Sequence, residues 1–433
     1  MEPFAPGKII PTCSGIPAKV VKYLAEGGQG VVYVVEYGGE KKAMKWYKDG
    51  ALKNSDLFYK NLVKNAEKGS PDPAFLWPIT ATEQVDGSFG YIMDLRAEGY
   101  YELCDFTLAK VTFTSFKAAT EACIRIVSAF RLLHNSGYCY QDMNDGNFFI
   151  NPKTGDVRIC DNDNITANKT DTFILGTPRY MAPEIVVSGG REKPNTQTDR
   201  FSLAVVLFMI LCMNHPLEGK HWLVPCLTPA MEKKLYGSDA VFIFDKDDDS
   251  NRPVKGVHDN VLQRWKYMPS YIQDAFFTAF SKEAIHNPAR RLRELDWLKV
   301  LVRFQSDIVR CPHCRNEVFI QDASDTRCDD CGRTVEVKHT LKLADYSITA
   351  AKGTRIYRCQ LGACNADDAL DRIGVIVSRD DDPNMLGFRN MTKDTFLAIT
   401  PSGKQKQLKA GDVVPLKAGI TLQLPGGKTI GIN

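Results

Sequence analysis

The loop that organises the sequence reads Tyr140-Gln141-Asp142-Met143-Asn144-Asp145-Gly146-Asn147-Phe148-Phe149-Ile150. In this loop Asp142 is followed five positions later by Asn147, and then by an apolar run that predicts a strand. A carboxylate so placed can accept a proton from a hydroxyl group, and an asparagine oxygen can hold a metal ion beside phosphates. A second carboxylate, Asp161, follows the next apolar strand. This spacing alone is common by chance, so the neighbouring motifs must decide what the loop does.

A glycine-rich turn lies between two predicted strands near the N terminus. The strand Val20–Leu24 leads into the turn Ala25–Gly30, and the strand Val31–Val35 follows it. Glycines allow a close approach of the backbone to a ligand and leave amide N–H groups free for phosphate oxygens. A plain glycine hairpin would show the same pattern. After a third strand, Lys45 ends an apolar stretch at a place where it can neutralise phosphates.

The composition predicts an ordinary globular protein. The 433 residues are 44% hydrophobic and 25% charged, and the net charge of +3 does not favour nucleic acid or a membrane as a partner. The apolar run Phe201–Met213 is too short to span a bilayer and predicts a buried helix. Residues 1–17 contain proline and glycine in place of the apolar stretch of a signal peptide. We therefore expect a reducing, cytoplasmic setting.

The segment Gly176-Thr177-Pro178-Arg179-Tyr180-Met181-Ala182-Pro183-Glu184 makes the combination specific. Together with the glycine loop, Lys45 and the Asp142 loop, it resembles a eukaryotic-like Ser/Thr protein kinase over residues 16–304. The resemblance implies an α+β fold with two lobes, an N-lobe at about residues 16–93 and a C-lobe at about residues 96–304. It also implies that Glu184 and Arg291 form an ion pair and that Asp199 supports the catalytic loop.

The resemblance further implies transfer of the γ-phosphoryl group of ATP to Ser/Thr hydroxyls of protein substrates, the kinase itself included. Lys45 would contact the α- and β-phosphates, and Asp142 would orient and deprotonate the hydroxyl. Asn147 and Asp161 would hold Mg²⁺ or Mn²⁺. The expected nucleotide-binding residues, of which the last three form the gatekeeper and hinge, are Leu24, Ala25, Gly27, Gly28, Gly30, Val32, Lys45, Met93, Asp94 and Leu95.

The catalytic loop departs from the family pattern at its cations. Gln141 stands where the family has an arginine, and without it a phosphorylated activation loop lacks its usual ion-pair partner. We therefore expect activity that does not depend on phosphorylation of the activation loop. The candidate sites are Thr170, Thr172 and Thr177. Asn144 replaces a lysine, so charge compensation for the γ-phosphate falls on the metal and Lys45, and we expect modest activity.

Two further departures concern the metal loop and the helix predicted from Asn54 to Lys68. The family's Asp-Phe-Gly is here Asp161-Asn162-Asp163, which keeps the metal carboxylate and loses the apolar side chain and the glycine. The glutamate that should pair with Lys45 falls near Lys64. Glu67 is the available glutamate in this helix, although it comes late.

A zinc-ribbon signal follows the kinase-like region, at residues 308–340. Two C-x-x-C pairs are separated by thirteen residues and consist of Cys311, Cys314, Cys328 and Cys331. Four thiolates complete a tetrahedral site without an open position, so we expect a structural Zn²⁺; a disulfide pair or free dithiols is the alternative. The segment is slightly acidic, which argues against nucleic-acid binding and favours protein docking or a spacer.

Residues 341–433 alternate short β runs with turns and predict a small β-sandwich. The last third, around Lys409–Leu416, faintly resembles a forkhead-associated domain but lacks its phosphothreonine-reading pattern. Kinases of this make-up resemble bacterial ones linked to metal-dependent phosphatases and von Willebrand A-type proteins. The resemblance therefore implies such partners in addition to protein substrates.

The altered motifs leave a second interpretation open, an ATP-binding pseudokinase that acts as a regulatory scaffold through its ribbon and β tail. Four residues argue against it, because a chain released from catalysis has no chemical reason to keep them together. They are Lys45, Asp142, Asn147 and Asp161.

Overall fold

The computed structural model describes residues 3–52, 54–85, 87–168, 176–189, 191–321, 326–362, 364–365 and 367–433. The N-lobe sheet is antiparallel, with the strand order β1-β2-β3-β4-β6-β5. Its strands are Ile9–Ile10 (β1), Ala18–Glu26 (β2), Gly30–Tyr37 (β3), Glu40–Tyr47 (β4), Thr80–Ala81 (β5) and Gly90–Asp94 (β6).

Helix α1 (Ser55–Lys68) packs on one face of this sheet. Asn54 caps the helix, and its side chain accepts a hydrogen bond of 3.4 Å from the amide of Leu57. Side chains alternate across β4, so Met44 and Trp46 enter the core on the opposite face while Tyr47 packs on the face of α1.

The C-lobe is mainly helical. Its helices are α2 (Leu103–Thr107), α3 (Phe116–Asn135), α4 (Pro183–Ser188), α5 (Thr196–Cys212), α6 (Pro229–Leu235), α7 (Asp259–Tyr267), α8 (Ser270–Ala279), α9 (Lys282–His286) and α10 (Glu294–Asp307). The side chains of α5 from Phe201 to Cys212 are all buried, as the apolar run predicts. The expected ion pair joins Glu184 to Arg291, with two hydrogen bonds of 2.8 and 2.7 Å. Within the described residues, no helix combines the length and hydrophobicity needed to cross a membrane.

Short paired strands flank the loops of the C-lobe. They are Tyr101–Glu102 (β7), Tyr138–Cys139 (β8), Phe148–Ile150 (β9), Val157–Ile159 (β10) and Thr166–Ala167 (β11). Strand β10 also binds the segment between α1 and β5. The amide of Leu76 donates to the carbonyl of Ile159 at 2.8 Å, and the amide of Ile159 donates to the carbonyl of Ala74 at 2.7 Å. A β-rich N-lobe and a helical C-lobe fit the bilobal kinase fold.

The remaining residues begin directly after α10. Strands Ile308–Arg310 (β12) and Glu317–Phe319 (β13) form a hairpin at the four cysteines. The following strands are Thr340–Lys342 (β14), Ser347–Thr349 (β15), Arg355–Tyr357 (β16), Arg372–Ser378 (β17), Leu386–Asn390 (β18), Phe396–Ile399 (β19), Gln405–Leu408 (β20), Val413–Pro415 (β21), Thr421–Gln423 (β22) and Thr429–Ile432 (β23). They form two sheets, β15-β14-β23-β22-β19-β20 and β16-β17-β18-β21, which enclose a shared apolar core around Leu341, Phe388 and Leu422.

Candidate active site

A cleft of about 1020 Å³ lies between the N-lobe sheet and the loops of the C-lobe. Every residue expected to bind nucleotide lines it, from Leu24 in β2 to Leu95 after β6, and so do Asp142 and Asp161. The cleft also contains residues that the sequence did not single out, namely Ala43, Leu76, Glu102, Phe149 and Cys160. Two of these residues could have been predicted from their positions. Phe149 lies in β9, directly after the loop that contains Asp142, and Ala43 lies two residues before Lys45 on the same face of β4.

Lys45 is buried in β4, where it pairs with Val32 on one side and Tyr91 on the other. Its Nζ lies 3.2 Å from Oδ1 of Asp161 and 2.9 Å from Oδ2 of Asp163. Although burial opposes the charge, these two carboxylates raise the pKa of Lys45 above its usual range. Lys45 is therefore a permanent cation at the base of the cleft.

Asp163 contacts Lys45, and the sequence did not predict this contact. Its side chain is fully buried, and its Oδ2 accepts hydrogen bonds from Lys45 and from the hydroxyl of Tyr47. Glu67, the glutamate expected from the helix, is exposed. The buried polar residue of α1 is Asn65, whose amide donates to the carbonyl of Ile165 at 2.9 Å. The sequence offered one indication of a shared partner for Lys45 and Tyr47: side chains alternate along β4, which places these two residues on the same face.

In the loop between β8 and β9, the amide side chain of Asn147 lies against the backbone of Asp142. The Nδ2 of Asn147 donates to the carbonyl of Asp142 at 2.9 Å, and its Oδ1 has a long contact of 4.0 Å with the Sγ of Cys160. Burial raises the pKa of Asp142 above its usual value, although hydrogen bonds from the side chains of Asn144 and Thr177 oppose the shift. Thr177 Oγ1 lies 3.5 Å from Asp142 Oδ1, so the segment that begins at Gly176 reaches this carboxylate.

The backbone of this loop is fixed from below by Asp199, as the resemblance implied. Its carboxylate accepts hydrogen bonds from the amides of Tyr140 at 2.7 Å and Gln141 at 3.3 Å. Gln141 adopts a left-handed conformation with φ of 72°, and its side chain donates to Thr166 Oγ1 at 2.5 Å. A side chain at Gly176 would place its Cβ 2.9 Å from the carbonyl of Gln141, so only glycine permits this approach.

Of the three threonines expected as phosphorylation sites, one lies within the described residues and two lie outside them. Thr177 is described and contacts Asp142. Thr170 and Thr172 lie outside the described residues. The position where the family has an arginine is occupied by Gln141, which is buried and bound to the C-lobe through Thr166.

The four cysteines of the ribbon come together at a second candidate site. Their Sγ atoms all lie within 4.8 Å of one another, with 3.7 Å between Cys311 and Cys331 and 3.5 Å between Cys314 and Cys328. A disulfide bond requires about 2.05 Å between sulfurs. Zn–S bonds of about 2.3 Å in a tetrahedron place the sulfurs about 3.8 Å apart. The arrangement therefore fits a Zn²⁺ ion.

The β-rich N-lobe, the helical C-lobe and the cleft between them fit the bilobal fold of protein kinases. Residues 86–238 match the family model described as Protein kinase domain. Over 149 residues the chain is 30% identical to Protein kinase C-like 1 of Candida albicans, which covers 34% of this chain and 13% of that protein. Over 205 residues it is 26% identical to Protein kinase C delta type of Rattus norvegicus, with 46% and 29% covered. Over 185 residues it is 25% identical to Probable serine/threonine-protein kinase MARK-C of Dictyostelium discoideum, with 42% and 23% covered.

The chain thus spans less than a third of the length of these relatives. Together the matches and the fold support a protein kinase domain in this chain.

Proposed function

We propose that the chain is a protein Ser/Thr kinase that uses Mg·ATP, with Mn²⁺ as the alternative metal. The observation that carries the proposal is the convergence of Lys45, Asp142 and Asp161 on one cleft, with Asn147 held against the backbone of Asp142. A serine or threonine acceptor is supported by the sequence Gly176-Thr177-Pro178 and by the relative whose name describes a serine/threonine-protein kinase.

Each residue has one part in this proposal. Lys45 binds the α- and β-phosphates. Asn147 Oδ1 and Asp161 would hold the metal, which would neutralise charge on the transferred group. Asp142 orients the substrate hydroxyl and accepts its proton. The bond from the hydroxyl oxygen to the γ-phosphorus forms as the bond to the β-phosphate oxygen breaks, and ADP leaves.

The test compares the wild type with Asp142→Asn in Mg·ATP, and mass spectrometry identifies phosphorylated residues on the chain and on a generic protein substrate. Because a general base contributes about 100- to 10,000-fold, we expect a loss of that size in the variant. Asp105→Asn is the control, since Asp105 pairs with Lys110 at 3.4 Å outside the cleft. Equal transfer by wild type and Asp142→Asn would favour the pseudokinase scaffold instead.

The domain limits expected from the sequence enter this proposal unchanged: a kinase domain at 16–304, a zinc ribbon at 308–340 and a β-rich domain at 341–433. The ribbon would hold a structural Zn²⁺ through Cys311, Cys314, Cys328 and Cys331, whose spacing fits that ion. A bacterial type of kinase, with a metal-dependent phosphatase and a von Willebrand A-type protein as partners, rests on the sequence resemblance alone.

A further inference from the structure

We propose that Asp163 is the positioning residue of Lys45, in the role for which the family pattern predicts a glutamate of helix α1. The inference rests on the proposed kinase function and deepens it, because it names the group that holds the phosphate-binding lysine in place.

The two carboxylates around Lys45 differ in exposure. The side chain of Asp161 is 39% exposed, whereas that of Asp163 is 0% exposed. Asp161 therefore faces the cleft, where a metal can reach it. Asp163 lies behind Lys45, and its Oδ2 is 2.9 Å from the lysine Nζ. One carboxylate is thus available to the metal, and the other is reserved for the lysine.

This division matters once the metal is bound. A metal ion held by Asp161 would neutralise that carboxylate and weaken its attraction for Lys45. The pair with Asp163 remains, because it is screened by neither solvent nor metal. Tyr47 stabilises the same oxygen of Asp163 through its hydroxyl, and it stands on the same face of β4 as Lys45. Lys45 is therefore held from below while its ammonium group binds phosphates.

Helix α1 supplies no substitute for Asp163. Its carboxylates are Asp56 and Glu67, and both are exposed. The helix is attached to the metal loop through Asn65, which donates to the carbonyl of Ile165. Asp161 and Asp163, the two carboxylates around Lys45, are two residues apart: Asp161 precedes the 3₁₀ turn Asn162–Asn164, and Asp163 lies within it. The partner of Lys45 is therefore supplied by this loop and not by a carboxylate of α1.

The experiment measures Mg·ATP affinity by titration and steady-state phosphate transfer for three single variants. Displacing a reacting group by about 1 Å can cost about 100-fold, so Asp163→Asn should lower kcat/KM about ten- to 100-fold and weaken ATP binding. Tyr47→Phe, which keeps every charge, should show a smaller loss of the same kind. Glu67→Gln is the matched control on α1 and should stay within about twofold of the wild type.

A double-variant comparison distinguishes positioning from a general structural role. Lys45→Met leaves Asp163 buried without its cation, so the melting temperature should fall, and the added Asp163→Asn should raise it again. In ATP affinity, the double variant should be no weaker than Lys45→Met alone, because the two residues act as one unit. This comparison also remains informative if Asp163→Asn alone folds poorly.

The proposal is overturned if Glu67→Gln loses activity while Asp163→Asn does not. It is also overturned if the double variant melts below Lys45→Met. If the wild type transfers no phosphate, the kinase function fails, yet the ATP titrations still decide the role of Asp163. Equal affinities in the wild type and Asp163→Asn would then contradict it.

Discussion

The imidazole of His134 lies between two buried carboxylates in the C-lobe. Its Nε2 is 3.0 Å from Asp199 and its Nδ1 is 2.8 Å from Glu294, which also binds Arg200 at 2.8 Å. Carboxylates only accept hydrogen bonds, so both ring nitrogens carry a proton and His134 is an imidazolium. Although burial opposes this charge, the two carboxylates raise the pKa of His134 to about 9. The two anions are thus balanced by two cations, His134 and Arg200.

This charge makes stability depend on pH in a defined direction. A histidine whose folded pKa of about 9 exceeds the ordinary value of 6.5 contributes its full stabilisation below pH 6.5. The contribution declines as pH rises from there through about 9. Urea unfolding at a series of pH values should show this decline in the wild type and not in His134→Gln.

Below pH 6.5 that variant should lose about 3–5 kcal/mol, the usual cost of removing one partner from a buried ion pair. His286→Gln, at an exposed position, should keep both the stability and the pH dependence of the wild type. A wild-type profile that is flat between pH 6.5 and 9 would contradict a charged His134. Because Asp199 also holds the amides of Tyr140 and Gln141, activity should fall with stability.

Residues are predictable from sequence where their chemistry is local. Asp142 and Asn147 were found from their spacing of five within one loop, once the neighbouring motifs had been considered. The structure brings Asp142, Lys45 and Asp161 to the same cleft. The contact of Asp163 with Lys45 was not predicted, because the two residues are 118 positions apart. The direction of the Asp163 side chain also depends on the backbone at Asp161, which has a left-handed conformation with φ of 54°. A single-residue motif cannot report the direction of a side chain after such a turn.

At the scale of elements, the start of α3 is capped by the ribbon. Glu317 of β13 accepts hydrogen bonds from the backbone amides of Phe116 and Lys117, the latter at 3.2 Å. Ser115 caps the next free amide, that of Ala118, at 3.0 Å. Phe319 packs against Phe116 with the two rings tilted by 59° and their centres 4.8 Å apart. A negative charge at a helix N-terminus is favourable, so the ribbon stabilises the helix that leads to the catalytic loop.

We therefore expect Glu317→Ala to destabilise the kinase region by about 0.5–2 kcal/mol, as loss of a helix cap does. Hydrogen exchange is the specific measurement, because the amides of Phe116 and Lys117 should exchange faster in the variant. Glu336→Ala removes an exposed acid from the same ribbon and should leave both amides protected. Equal exchange in the two variants would show that Glu317 does not cap α3.

Elements were predictable where the hydrophobic period is strong. The helix expected from Asn54 to Lys68 is α1, with Asn54 as its cap, and the apolar run from Phe201 lies in α5. The cap on α3 was not predictable, because Ser115 supplies an ordinary helix start and Glu317 comes 201 positions after Phe116. No local pattern links a strand of a ribbon to a helix so far away in sequence.

At the scale of the whole molecule, the C-terminal segments are fastened to the C-lobe away from the cleft. The described lining of the cleft contains no residue beyond Asp161. Asp307 at the end of α10 accepts hydrogen bonds from the amide and hydroxyl of Thr349, at 3.1 and 3.2 Å, and from Tyr271 at 2.8 Å. Arg131 of α3 donates to the carbonyl of Asn365 at 2.9 Å.

Composition alone could not have placed these segments, since a ribbon and a β-rich tail can equally follow a kinase on a free linker. The decisive contacts are few and distant in sequence, such as that of Arg131 with Asn365. Here no linker exists, because α10 ends at Asp307 and β12 begins at Ile308. Ile308, Tyr357 and Cys359 also belong to the apolar core of the C-lobe. The tail should therefore unfold with the kinase region and not separately.

Removal of the metal tests this coupling. All five tryptophans precede residue 308, so their fluorescence reports on the kinase region alone. The wild type should contain about one zinc per chain by elemental analysis, since four cysteines complete one tetrahedral site. Cys314→Ser should lose the zinc and lower the melting temperature seen by tryptophan fluorescence. Cys226→Ser, at an exposed cysteine outside the cluster, should do neither.

The reason for this expectation is that structural zinc is part of the folding free energy of a ribbon. A ribbon that unfolds withdraws Glu317 from α3 and Phe319 from Phe304, whose ring centres lie 5.1 Å apart. Phosphate transfer by Cys314→Ser should therefore fall and not rise, because the cleft is lined by no described residue of the tail. A wild type without zinc would refute the metal site. Loss of zinc with an unchanged tryptophan transition would refute the coupling, and a rise in transfer would reveal inhibition by the tail.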